Sequence, residues 1–108
     1  MDKEALTAWA LANGWRIIAG CPSLTRQATP KDPIVRLVFK ATVVALEVRK
    51  PAGKWEKLGG APYARVQPDP DTGWPCGLGL EAMPGLTMLM RDNKDLAVFD
   101  RLGPASRL

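Results

Sequence analysis

The chain is 108 residues long, carries 15 Lys and Arg against 11 Asp and Glu for a net charge of +4, and contains no histidine. That length suits one domain, able to bury roughly 60–70% of its extended surface without disulfide or metal staples. The missing histidine excludes Ser-His and Cys-His nucleophile pairs and imidazole metal sites, and no apolar run approaches the ~18 residues that a membrane-spanning helix needs.

The opening residues, MDKEALTAWALANGW, read as a helix and not as an export signal, since two of the first four are acids and the apolar run is interrupted. A cytoplasmic location is therefore expected, with Cys21 and Cys76 as free thiols. Asp2 caps the helix, Glu4 sits in its first turn, and Leu6, Trp9 and Ala10 form its apolar face. Asn13–Gly14 ends it, both residues tolerating a left-handed cap. Trp15–Ala19 follows as a short strand, and Trp9 and Trp15 are expected in the core. Gly20–Pro33 reads as a connector, because three prolines among small polar residues break regular structure. Leu24 is its only large apolar anchor, and Cys21, Ser23, Thr25, Arg26 and Lys31 ride on it.

The run PIVRLVFKATVVALEVRK, Pro33 to Lys50, is the longest apolar and β-branched stretch and the expected centre of a sheet. Val35, Leu37, Phe39, Ala41 and Val43 alternate with more polar neighbours, after which the phase slips to Val44, Leu46 and Val48. A slip of one residue turns every side chain to the other face. Two strands joined near Lys40–Ala41–Thr42, or one strand bulged near Val43–Ala45, would each explain it, and the pair of strands is preferred. The turn lacks the Gly, Asn or Asp that short hairpin loops favour.

Pro51–Ala52–Gly53–Lys54 signals a turn joining Thr42–Arg49 to Trp55–Leu58 as a hairpin. Gly59–Pro62 reads as a further turn or bulge, Tyr63–Val66 as another short strand, and Gln67–Gly79 as a second irregular loop. Leu86–Met90 has the look of a short helical turn. Asp92 and Asp95 make an N-terminal capping signature for a closing helix with Leu96, Phe99 and Leu102 as its apolar stripe, stopped by Gly103–Pro104. The fold class expected is α+β: an antiparallel sheet of four to five strands with an N-terminal and a C-terminal helix packed on it, in residues 1–103, followed by a frayed tail at 104–108.

No metal site or cofactor is expected. Cys21 and Ser23 are more simply structural residues than nucleophiles. Gly77–Leu78–Gly79–Leu80–Glu81–Ala82 matches the G-x-G-x-x-A nucleotide pattern but lacks a preceding strand and meets Pro84 two residues later. Asp69, Asp71 and Gly73 begin like a calcium loop, yet Trp74 and Leu80 stand where Gly and Glu are required.

Two surfaces remain. Arg49, Lys50, Lys54 and Lys57 bracket Trp55 around a tight turn, the combination that a phosphate backbone and a stacked base require; Arg36 and Lys40 would extend it. The competing reading is a solvated sheet edge with an inward tryptophan. Leu86, Met88, Leu89 and Met90 crowd a helix whose second side suits a dimer contact. The charge is also uneven: residues 3–65 carry a net +7 and residues 66–108 a net −2, which fits a polyanion partner, pairing of two copies, or a plain solvated surface.

A helix, then Asn13–Gly14–Trp15 leading into a strand, then antiparallel strands and a closing helix, resembles the small HicA-type RNase toxins, whose fold is like that of double-stranded-RNA-binding domains. The resemblance covers about twenty residues and implies the same topology. Those toxins carry a histidine just after the first strand, where this chain has Gly20–Cys21–Pro22–Ser23, so the toxins' catalysis does not carry over. The expected function is a small non-catalytic, cytoplasmic protein-interaction domain that self-associates as a homodimer. The alternative is an RNA- or DNA-binding module built on the hairpin around Trp55, and more distantly a nuclease-like toxin fold without its histidine.

Overall fold

The computed structural model describes the backbone of residues 1–26, 29–50 and 52–102 and the side chains of residues 1–26, 32–50 and 52–95. Helix α1 (Lys3–Ala12) is followed by strands β1 (Arg16–Ile18), β2 (Cys21–Arg26), β3 (Thr29–Phe39), β4 (Val43–Arg49) and β5 (Trp55–Pro62). A small ribbon of β6 (Gln67–Pro68) and β7 (Pro75–Cys76) comes next, and helix α2 (Leu86–Leu102) closes the order. The first five strands form one antiparallel sheet in sequence order, and β6 and β7 pair separately. This is the expected α+β architecture, at the upper end of the expected strand number.

Helix α1 begins as its sequence dictates. The Asp2 carboxylate accepts from the Ala5 N–H at 2.8 Å, satisfying an amide the helix itself cannot. At the other end the Trp15 N–H returns to the Ala10 carbonyl at 3.0 Å, with Gly14 at φ +88° between them. A Cβ on Gly14 would also lie 2.6 Å from the Lys94 amide nitrogen, so this glycine lets the end of α1 lie against α2. Leu6, Trp9 and Ala10 of α1 and Leu86 and Met90 of α2 meet Leu24, Val35, Leu37, Val44 and Leu46 of the sheet in one buried cluster. Full burial of a leucine contributes roughly 1.5–3 kcal/mol, so this apolar face does most to hold the layers together. Trp9 sits within 6.0 Å of both Trp15 and Trp74, centroid to centroid.

The 33–50 run is two strands. Leu37 faces Leu46 and Phe39 faces Val44, so the phase slip is a chain reversal. The turn uses no left-handed residue at Ala41 or Thr42. It is held from outside: the Tyr63 hydroxyl donates to the Lys40 carbonyl at 2.8 Å, and the Tyr63 N–H donates to the Thr42 carbonyl at 3.3 Å.

The expected connector at 20–33 is instead mostly sheet. Cys21–Arg26 is β2, a strand paired on both sides. Its prolines sit where a missing N–H costs little. Pro22 faces Ile17 in β1 and precedes the first pair of the β2–β3 ladder, Ser23 with Arg36. Pro33 lies at the register shifts around Thr25. The β1–β2 reversal is made by Ala19 at φ +52° and Gly20 at φ +82°, a left-handed pair that matches the twist of adjoining strands.

Three more expectations are corrected. Gly59–Pro62 belongs to β5, with the irregularity confined to the step opposite Leu46/Glu47. A Cβ on Gly59 would fall 2.1 Å from the Leu78 carbonyl oxygen, so the glycine is there to admit the 77–79 segment. Tyr63–Val66 is a 3₁₀ turn over Tyr63–Arg65 and not a strand, and the 67–79 loop contains the β6–β7 ribbon. Asp92 and Asp95 lie inside α2, which already begins at Leu86. Their local signature is overridden because the preceding turn supplies helical partners for the amides they would cap. The side chains of Leu96, Phe99 and Leu102, the Gly103–Pro104 stop, the 104–108 tail, Lys31 and Pro51 lie outside the described residues.

Candidate functional site

Strand register places the cations. Arg16, Ser23, Arg36, Glu47 and Lys57 are successive cross-strand partners from β1 to β5. They therefore share the face opposite the one carrying Leu24, Val35, Leu37 and Leu46. Arg49 and Trp55 are partners at the end of the β4–β5 hairpin on that same outer face. The turn beyond is closed by the Lys50 N–H donating to the Lys54 carbonyl at 2.7 Å and the Gly53 N–H donating to the Lys50 carbonyl at 2.8 Å.

Trp55 is half-buried, but not in the core. The Arg36 guanidinium lies 4.0 Å from its ring centroid, within cation–π range. The same guanidinium donates from Nε and Nη2 to Glu47 Oε1 at 2.8 and 2.7 Å. Glu47 therefore neutralises Arg36 and fixes it against the indole. Lys50, of opposite strand parity to Arg49, pairs with Glu56 at 2.8 Å; both are more than half exposed, and such pairs contribute roughly 0.2–1 kcal/mol. Arg16, Arg49, Lys54 and Lys57 are exposed and have no carboxylate partner among the described residues.

Of the six cations expected to act together, Lys40 is separated. It lies at the opposite end of β4 from Lys50, a strand length of roughly 20 Å away. At the near end, Arg26, Arg49, Lys50, Asp32 and Gly53 contribute to a cleft of about 370 Å³. Arg26 was expected on a loop and instead ends β2.

The methionine-rich segment divides by helical phase. Leu86 and Met90 are buried in the core, Leu89 packs partly against it, and Met88 is 59% exposed. Thr87, Arg91, Asp92, Lys94 and Asp95 complete the outward side over the described residues. Inward, Asn93 anchors the helix to β2: its Nδ2 donates to the Thr25 carbonyl at 2.8 Å and its Oδ1 accepts from the Thr25 hydroxyl at 3.3 Å. Three of the four apolar candidates are thus committed wholly or partly to the core.

The nucleophile candidates take structural positions. Ser23 and Thr25 are buried within β2, and Ser23 Oγ donates to the Cys21 carbonyl at 2.9 Å. Cys21 is half-buried and Cys76 exposed, both as free thiols. Asp69 organises the β6–β7 turn. Its carboxylate accepts from the Asp71 and Thr72 N–H groups at 2.8 and 3.1 Å, and these bonds, the Asp71 one foremost, hold its pKa below the ordinary carboxylate value. Gly79 leads only into a three-residue 3₁₀ turn, Leu80–Ala82. Among the described residues no group of three or more Cys, Asp or Glu is placed to hold a metal ion, and no helix is long and apolar enough to cross a membrane.

Three residues of the outer face escaped sequence reasoning: Arg16, Arg26 and the carboxylate of Glu47. Arg36 and Glu47 lie eleven apart, a spacing that signals contact only once the 40–42 turn is known. Comparison with protein-family models, curated proteins and solved structures gives no match.

Proposed function

We propose that the protein is a non-catalytic, cytoplasmic nucleic-acid-binding module that works through the outer face of its sheet and the β4–β5 hairpin. One observation carries the reading: four exposed cations without a described acid partner, Arg16, Arg49, Lys54 and Lys57, lie on the outer face or on the β4–β5 turn together with the Arg36–Trp55 stack. Clustered cations around an aromatic favour a phosphate backbone with its bases, whereas a merely solvated edge has no need of a clamped indole. The inward turn of Leu86 and Met90 removes most of the competing apolar surface.

The test is a salt titration of binding to labelled single- and double-stranded oligonucleotides. Neutralising four phosphates gives a slope of log K against log salt of roughly −3 to −4. The Lys54→Ala/Lys57→Ala double variant should flatten it by about 1.5. Absence of binding at low salt would sink the reading.

Self-association through a sheet edge is a second reading, supported by Ile17, which is 51% exposed on the edge strand β1. Light scattering on the free protein decides it: a dimer mass that Ile17→Lys returns to monomer supports this reading, and a monomer at all concentrations rejects it.

A further inference from the structure

We infer that the cleft beside the hairpin seats a phosphate and that, together with Trp55, it makes the protein prefer single-stranded over double-stranded nucleic acid. This rests on the nucleic-acid reading above and names the form of the ligand.

Among the described residues three cations reach the cleft from two separate parts of the fold: Arg26 from the end of β2, and Arg49 and Lys50 from the end of β4 and the turn after it. Asp32 is the only acid among the described residues lining it. Like charges gathered in one concavity repel, and an anion between them relieves that repulsion. Lys50 shares Glu56, so Arg26 and Arg49 stand against Asp32 alone and leave the cleft a net positive charge. Gly53, at φ +84° in the turn, also lines the cleft. Guanidinium groups suit phosphate because they offer paired donors in one plane.

The stacking element adjoins this seat. Trp55 is the direct cross-strand partner of Arg49, so phosphate seat and indole share one residue pair. Arg36 fixes the indole from one side and is itself fixed by Glu47, which lowers the ordering cost of binding. A ring held beside a phosphate seat can receive an unpaired base, whereas the bases of a duplex already stack on one another. Cations alone would not favour the single strand, because the duplex has the higher charge density.

The experiment measures fluorescence anisotropy of a labelled oligothymidylate of roughly 10 nucleotides and of a blunt duplex of the same length, at matched low salt. Wild type, Trp55→Leu, Trp55→Phe, Arg49→Ala and the outward helix control Arg91→Ala are compared after circular dichroism has shown each to be folded. Wild type should favour the single strand by roughly tenfold. Trp55→Leu should erase that preference while leaving duplex affinity within about twofold, and Trp55→Phe should restore most of it. Arg49→Ala should weaken single-strand binding and flatten its salt slope by about 0.7, with Arg91→Ala unchanged. Equal wild-type affinity for both forms, or a preference that survives in Trp55→Leu, overturns the inference and leaves the nucleic-acid reading standing. No binding of either form by folded wild type overturns both.

Discussion

The start of helix α2 and the end of the β4–β5 hairpin are both chemically dense, one with Leu86, Met88, Leu89 and Met90 and the other with Arg49, Lys50, Lys54, Trp55 and Lys57. The helix buries most of its cluster. A 3.6-residue period sends Leu86, Leu89 and Met90 toward the sheet and Met88 to solvent. The hairpin gathers its own. A period of two, together with cross-strand pairing, puts Arg49, Trp55 and Lys57 on one face beside Arg36 and Glu47. A dense cluster thus becomes a surface only where the side its members share is turned away from the core.

The largest test of this contrast lies within α2 itself. Leu86→Ala should cost ~2–5 kcal/mol in urea-induced unfolding, as a truncated core leucine does. Met88→Ala, two residues on, should stay within about 0.5 kcal/mol, as an exposed position does. Equal effects at the two positions would mean that the helix does not dock on the side assigned to it.

A smaller effect is expected at the anchor between α2 and β2. Asn93→Ala leaves the buried Thr25 hydroxyl and carbonyl without their amide partner and should cost about 1–3 kcal/mol. Amide hydrogen exchange should then quicken in β2 before the β4–β5 hairpin responds.

At the hairpin, stability and binding should come apart. Glu47→Gln weakens the hold on Arg36, whose side chain is 28% exposed, and should cost no more than about 1 kcal/mol. Tryptophan near-ultraviolet circular dichroism should nevertheless change, because the guanidinium over Trp55 loses its fixed carboxylate. An unchanged spectrum would show that the Arg36–Trp55 stack does not depend on Glu47.

The smallest effect concerns the β6–β7 turn. The Asp69 carboxylate has a depressed pKa in the folded chain. Its contribution is therefore complete above the ordinary carboxylate pKa and fades as pH falls through the depressed folded value. Proton chemical shifts of the Asp71 and Thr72 amides should move in that acid window. In Asp69→Asn, which keeps an acceptor oxygen but does not titrate, they should stay put.

The same distinction between local and long-range signals marks how much of the fold was legible beforehand. Helix α1 was readable with its caps because Asp2, Asn13 and Gly14 act within one turn of the backbone they serve. The reversal at 40–42 was readable as a change of phase, though the residue that holds it, Tyr63, is more than twenty positions away. Strand β2 was misread as a connector. Pro22 and Pro33 are strand breakers by local rule, and only the edge of a ladder and a bulge make room for them. Asp92 and Asp95 misled in the opposite sense, as a sound capping signature with a helix already running through it. Of the candidate site, the hairpin cations and Trp55 were legible as a cluster. Arg16, Arg26 and Glu47 were not, because they join it through sheet pairing.

The sequence alone therefore determined what depends on neighbours along the chain: the first helix, the apolar strands, the tight hairpin and its charge, and the lack of histidine chemistry. Only the tertiary structure decided which strands lie side by side, which side of α2 is covered, and that the indole of Trp55 rests against Arg36 on the outer face. Those outcomes follow from register and docking, where burying the apolar face of the sheet outweighs the local preferences of prolines and capping residues by several kcal/mol.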